Sequence, residues 1–289
     1  MRWLGPQDLR AALSMADAIG AMEVAFSSDR EVPLRQLLGG SLFMPGRARD
    51  ITGIKVVSIV PGNPVGVVAV FDETGSPLGM VDGATLTSIR TGAACGLATR
   101  LLADETATRM AMLGAGAMAF DQVEAVRTVR AIERVVIWSR TRESAERLAD
   151  RVGGVVEMDA NAAVRQSDVI SCATPSREPL FSPSAVGGGA HLNAVGAFTQ
   201  EMVELPGSLL SEAFVVVDDL DAAAAEAGDL IRAGRVPDAT LTDLLEGGVV
   251  VPDGPTVFKS VGIASQDVAA AVAALRNAER LGLGTEFGH

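Results

Sequence analysis

The sequence predicts an α/β protein in two parts: a mixed-sheet α+β part first, then a parallel sheet covered by helices on both faces. Three observations predict it. Short apolar runs punctuated by Pro-Gly turns fill residues 31–82. From residue 105 onward, apolar strands alternate with helical stretches, the pattern of a sheet buried on both faces. Within that region a glycine-rich turn, Gly114-Ala115-Gly116-Ala117-Met118-Ala119, follows a strand and opens a helix.

The elements follow in order. Residues 1–30 read as helices, one opened by Pro6-Gln7-Asp8 and a second capped by Ser14 or Asp17, with Ile19, Met22, Val24 and Phe26 as its apolar stripe. Residues 40–44, 51–60 and 65–72 read as strands, separated by turns at Pro45-Gly46, 61–64 and 73–77. Residues 83–104 read as a helix. In the second part, strands are expected at 109–113, 134–138, 155–158, 168–173, 191–195, 214–218 and 256–259. Helices are expected at 120–130, 142–152, near Ala162 and at about 264–281. The expected domains are 1–104 with about 264–289, and 105–263 between them.

Composition narrows the class. A chain of 289 residues suits two ordinary domains or one large one. With 48% hydrophobic and 21% charged residues it is too apolar for disorder. A net charge of -12 opposes non-specific binding to nucleic acid or to an anionic membrane, since both need a positive field. The chain has no tyrosine, which removes any tyrosine general acid. Its only histidines are His191 and His289, and Cys95 and Cys172 lack zinc spacing, so no metal site is expected. No apolar run is long enough for a membrane span, and the first residues lack a signal-peptide core, so a cytoplasmic protein is expected. Nearly all the basic residues are arginine; only Lys55 and Lys259 are lysine. Lysine, unlike arginine, can give up its proton, which draws attention to both positions.

The glycine turn is a G-x-G-x-x-A motif in the strand-turn-helix context that dinucleotide binding requires. Gly114 makes the tight turn, Gly116 lets backbone approach a pyrophosphate, and Ala119 permits close helix–strand packing. The helix N-terminus that follows offers free N–H groups to phosphate. A dinucleotide site is therefore expected here, with a glycine-rich turn in some other α/β domain as the alternative. The next strand ends at Trp138 and continues Ser139-Arg140-Thr141-Arg142, where an NAD enzyme usually places an acidic residue for the ribose hydroxyls. Two cations and two hydroxyls suit a 2′-phosphate, so NADP(H) is favoured and NAD(H) is the alternative. Thr141 also serves as the cap of the helix that begins there.

Several motifs carry a wider likeness. They are Pro33-Leu34-Arg35, Met44-Pro45, Gly53-Ile54-Lys55-Val56-Val57, Pro61-Gly62-Asn63, Leu86-Thr87-Ser88-Ile89-Arg90-Thr91-Gly92-Ala93, Asn193-Ala194-Val195-Gly196-Ala197, Val216-Val217-Asp218-Asp219 and Phe258-Lys259-Ser260-Val261-Gly262. With the glycine turn, and in this order, they resemble the ornithine cyclodeaminase/μ-crystallin family from about residue 30 to 270. The resemblance implies a Rossmann domain for a nicotinamide dinucleotide, a mixed-sheet domain for substrate, and a homodimer formed by the latter.

It also implies site residues. Arg35 and Arg90 would grip a substrate carboxylate, Lys55 would sit beside the reacting carbon, and Met44 and Asn63 would line the substrate. Thr91, taken as the start of a helical stretch, would bond the cofactor phosphates. Thr174, Val195, Gly196, Ser260, Val261 and Gly262 would complete the cofactor contacts. The chemistry of the residues agrees: a guanidinium fork suits a carboxylate, and a lysine among apolar groups and cations loses its proton more readily. Lys259 reads equally well as a packing or ion-pairing residue.

One departure shapes the substrate expectation. Where cyclodeaminases carry an aspartate after the pair matching Gly196-Ala197, this chain has Phe198, which cannot activate water. The stretch near Leu42 also lacks the acidic residue those enzymes use for the ornithine side chain. The Gly-Ala-Phe-Thr pattern is similar to that of the family's ketimine reductases. The expected reaction is reduction of Δ1-pyrroline-2-carboxylate to L-proline, or of the six-membered piperideine homologue to pipecolate. Ornithine cyclodeamination, alanine dehydrogenase-like or opine-type chemistry, and non-enzymatic binding of a cofactor and ligand remain alternatives.

Overall fold

A computed structural model describes residues 1–60 and 65–288. Its elements in chain order are β1 (Arg2–Leu4), α1 (Pro6–Ala12), α2 (Met15–Ala25), β2 (Arg30–Glu31), β3 (Gln36–Leu38), β4 (Ser41–Ala48), β5 (Ile51–Ser58), β6 (Gly66–Phe71), β7 (Pro77–Asp82) and α3 (Gly83–Leu102). There follow β8 (Arg109–Leu113), α4 (Ala119–Val129), β9 (Arg134–Trp138), α5 (Arg142–Val152), β10 (Val155–Val156), α6 (Ala160–Arg165), β11 (Val169–Cys172), β12 (His191–Ala194), α7 (Gly207–Glu212), β13 (Phe214–Val217), α8 (Leu220–Glu226), α9 (Gly228–Ala233), β14 (Ala239–Thr240), α10 (Leu241–Leu245), β15 (Thr256–Lys259), α11 (Ala264–Leu281) and β16 (Thr285–Glu286). The described residues form two compact units, 1–94 with 263–288, and 95–262.

The first unit is built on one mixed sheet in the order β16-β1-β7-β6-β5-β4-β2, with β3 on β4. Its centre is an antiparallel meander from β4 to β7, and only β1 joins in parallel, alongside β7. Strands β1, β2, β3, β7 and β16 are additions to the sequence expectation, and β4 runs straight through Pro45-Gly46, expected as a turn. The reason is local: Pro77 reads as the end of a turn, the other added strands are too short to show a period, and Pro45-Gly46 has turn composition although its backbone stays extended in the ladder. Helix α2 begins as expected at Ser14, whose hydroxyl accepts from the Asp17 N–H at 3.1 Å.

Helix α11 lies against this sheet; residues 264–272 are buried all round, and Ala274, Leu275 and Ala278 continue the buried side. Glycines make the seat. Gly46 and Gly53 are ladder partners on β4 and β5. A Cβ on Gly46 would stand 2.6 Å from the Ala264 Cβ, and one on Gly53 would stand 2.8 Å from Val268 Cγ2. Residues two apart on a strand share a face. Lys55 therefore shares the helix-facing side of β5 with Gly53, and it is 4% exposed.

The second unit is an eight-stranded parallel sheet in the order β10-β9-β8-β11-β12-β15-β13-β14. Met110 and Met112 of β8 and Val135 and Ile137 of β9 pack with Val123 and Val126 of α4 and Leu148 and Val152 of α5. The chain winds from β8 outward through β9 to β10, then returns to the other side of β8 with β11. That reversal places a crevice at the carboxyl ends of β8 and β11, where open α/β sheets bind ligands.

Candidate active site

In the first unit, strand β5 and helices α3 and α11 place three charged side chains in one buried cluster. The Lys55 Nζ stands 3.3 Å from Asp267 Oδ1, and Arg90 Nε stands 3.2 Å from the same oxygen. Arg90 also donates through Nη1 to Gln266 Oε1 at 2.8 Å. Burial, with the positive charges of Arg90 and Arg35, pushes the Lys55 ammonium down to about 8, against the opposing pull of Asp267. Arg35 is half-buried, just before β3, and close enough to act on that charge. Met44 is buried directly opposite Lys55 in the β4–β5 ladder. This cluster can hold a small anion and hand a proton to it. Asn63, with Pro61 and Gly62, lies outside the described residues.

Thr91 is the next residue of α3 after Arg90, in the middle of the helix rather than at the start of one. The expectation mistook the small, polar Thr91-Gly92 pair for a boundary, but Ala93, Ala94 and Leu97 continue a buried helical face. Thr91 is buried and its Oγ1 has no hydrogen-bond partner among the described residues.

In the second unit, Gly114, Ala115, Gly116, Ser139, Arg140, Thr141 and Thr174 line one cavity of about 260 Å³ at the β8/β11 crevice. Gly114 adopts φ +104°, and a Cβ there would stand 2.6 Å from the Ala173 carbonyl oxygen. A Cβ on Gly116 would meet nothing within 4 Å, so the backbone there is open to a ligand. Those two features and the crevice fit a dinucleotide. Arg140 faces the cavity, whereas Arg142 is bound to Glu146 at 2.8 Å on the exposed side of α5. Ala117 and Met118 complete the turn into α4 without lining the cavity.

The remaining expected cofactor residues sit on loops that buried carboxylates hold in place. Glu204 accepts from the Thr174 N–H at 2.6 Å and hydroxyl at 3.0 Å with one oxygen. Its other oxygen accepts from the N–H groups of Gly196 at 2.8 Å and Ala197 at 3.1 Å. Val195 is buried at the end of β12, beside this knot. Asp218 accepts from the Ser260 hydroxyl at 2.8 Å and from the N–H groups of Val261 at 3.0 Å and Gly262 at 2.7 Å. Burial pushes both the Glu204 and Asp218 carboxyls up.

Lys259 is fully buried, pairs with Asp229 at 2.9 Å and donates to the Ala197 carbonyl. Asp229 in turn accepts from the Glu204 and Leu205 N–H groups. Lys259 thus belongs to the loop scaffold, while Phe198 beside it is 45% exposed. His191 is buried between Thr256 and Asn193, and burial lowers its imidazole to about 3. It is therefore a neutral structural group.

Residues Glu204, Asp229, Gln266 and Asp267 escaped the sequence reading. Glu204 carries no local signal, and Gln266 and Asp267 look like ordinary first-turn helix residues.

Residues 10–280 match the ornithine cyclodeaminase/mu-crystallin family. The chain belongs to that family. It is 34% identical over 318 residues to a Bacillus cereus Delta(1)-pyrroline-2-carboxylate reductase, covering 97% of this chain and 98% of that relative. Among solved structures, the Thermococcus litoralis Delta(1)-pyrroline-2-carboxylate reductase in complex with NADH and L-proline is similar with a TM-score of 0.92 and 29% identity, over 99% of this chain and 100% of that one. An archaeal alanine dehydrogenase dimer with bound NAD is similar with a TM-score of 0.91 and 27% identity, over 100% and 99%. Among the described residues, no group of three His, Cys, Asp or Glu side chains could hold a metal ion, and no helix is long and apolar enough to cross a membrane.

Proposed function

We propose that this protein reduces a cyclic ketimine carboxylate with a nicotinamide dinucleotide, converting Δ1-pyrroline-2-carboxylate to L-proline. The observation that carries the reading is the buried Lys55–Arg90 pair beside Arg35, in a chain whose full-length relative is a reductase of that imine. When bound, the dinucleotide supplies the hydride.

The chain's own residues do the rest. Arg35 and Arg90 bind the carboxylate, and a planar fork fixes its orientation as well as its charge. Holding the imine in one pose supplies much of the rate. Lys55, with an ammonium at about 8, gives a proton to the ring nitrogen. One Nζ–H bond breaks and one ring N–H bond forms, the proton that balances the hydride the dinucleotide would supply to the imine carbon. Lys55 then regains its proton from water. The same three residues set this reading above non-enzymatic binding, for which a proton donor is unnecessary.

Arg140, which lines the cavity, favours NADP(H) over NAD(H); it follows the second strand of the sheet, where an NAD enzyme usually has a carboxylate. The relatives' solved structures hold NADH and NAD, so NAD(H) is the competing choice. A homodimer is supported by an exposed apolar patch in the first unit: Leu37, Leu38, Ile59 and Val60 lie at one end of the β3–β4–β5 ladder.

The test is a substrate panel with NADPH and NADH. Dinucleotide oxidation with Δ1-pyrroline-2-carboxylate or Δ1-piperideine-2-carboxylate is expected. Turnover of ornithine with no reaction on either imine would overturn the reading.

A further inference from the structure

Four buried carboxylates, Glu204, Asp218, Asp229 and Asp267, organise this protein, and only the last has no backbone N–H among the contacts described for it. Glu204 uses both oxygens on N–H and O–H donors of its own chain, and three donors converge on one oxygen of Asp218. Asp267 is as deeply buried, at 1% exposure, yet both of its contacts fall on Oδ1 and both are cations of the substrate cluster. Its Oδ2 has no partner among the described residues. A buried polar atom without a partner is costly, so its presence needs a reason beyond stability.

We propose that Asp267 is a positioning residue for the reaction: wedged between Lys55 and Arg90, it aims both cations at the substrate and keeps a proton on Lys55. The inference rests on the imine-reductase reading for its substrate, but its geometry stands apart from it. Two like charges crowded into a buried site repel strongly, and an anion touching both removes that repulsion. The neighbouring Gln266 adds a second fixed point. Its Oε1 accepts from Arg90 Nη1 at 2.8 Å and from the Ile263 N–H at 3.1 Å, so the first turn of α11 holds the guanidinium at two atoms. The seat of Ala264 on Gly46 and Val268 on Gly53 fixes where that turn stands.

The charged groups acting on Lys55 are Asp267 from α11, Arg90 from α3 and Arg35 from the segment before β3. Its ladder neighbours Met44 on β4 and Val68 on β6 carry no charge. Asp267 is thus the one group among these that favours the protonated amine. The protonated amine is the form that can give a proton to the ring nitrogen.

The chain's two lysines make the test direct, because ¹³Cε-lysine labelling gives two side-chain signals, assigned with Lys55→Met. In Asp267→Asn, the Lys55 signal is expected to titrate at least about one pH unit lower than in the native protein. The alkaline limb of kcat should move down with it, and KM for the imine should rise about tenfold. Asp267→Glu should hold the titration near its native place. If Asp267→Asn does not fold, Gln266→Leu carries the test. It should raise KM for the imine severalfold with the Lys55 titration unchanged. An unmoved Lys55 titration in Asp267→Asn, or an unmoved KM in Gln266→Leu, overturns the proposal. The titration is read without substrate. If it shifts while the native protein reduces no cyclic imine, the functional reading falls and the positioning role stands.

Discussion

A single substitution at the buried Glu204 should loosen two loops at once. Its carboxylate accepts four hydrogen bonds from the loops after β11 and β12. In Glu204→Gln one acceptor oxygen becomes an NH₂ donor. If the amide oxygen faces Thr174, the Gly196 and Ala197 N–H groups both lose their acceptor. If it faces Gly196, the Thr174 hydroxyl can rotate to accept, but the Thr174 N–H is orphaned. At least one buried donor goes unsatisfied either way, at a cost of about 1–3 kcal/mol. Each kcal/mol lowers the thermal midpoint by about 2–4 °C in a chain approaching this size. Because Thr174 lines the cavity proposed to hold the dinucleotide, affinity should fall as well. Urea unfolding and a fluorescence titration with NADPH measure the two effects. A variant within about 0.5 kcal/mol of the native protein, binding NADPH as tightly, would refute the role given to Glu204.

Two further outcomes follow from the structure. Arg140→Gln should raise KM for NADPH about tenfold or more, the worth of one charge-assisted hydrogen bond, while KM for NADH stays within about twofold; parallel changes for both would place the phosphate contact elsewhere. His191 is neutral when folded, with its ring lowered to about 3 from the ordinary 6.5. The unfolded chain therefore binds the extra proton first, and stability should fall with decreasing pH from about 6.5 toward 3, by up to about 1.4 kcal/mol per pH unit from this group. His191→Gln should flatten that slope in urea unfolding followed between pH 7 and 4; an identical slope would contradict the assignment.

The glycine turn was legible because its chemistry is local: the strand before it, the glycines and the helix after it are contiguous in the chain. Lys55 was legible through its rarity and its apolar neighbours on β5. The carboxylates that hold these groups were not. Asp267 meets Lys55 only after α11 packs on the sheet, and 212 positions separate the two in sequence. Glu204 reads as one acidic residue among many until β11 and β12 bring Thr174 and Gly196 to it. Short strands such as β1 and β16 exist only as partners of neighbours, so no period announces them. Arg142 shows the converse: its spacing suggested a phosphate ligand, but an i, i+4 carboxylate on its own helix takes it.

Single-turnover reduction of Δ1-pyrroline-2-carboxylate by the NADPH-loaded Lys55→Met variant reads the proton-donor role most directly. The hydride-transfer rate is predicted to fall by about 10²-fold or more with the NADPH dissociation constant within about twofold of native. A native rate, or a loss matched by an equal loss of cofactor affinity, would contradict it.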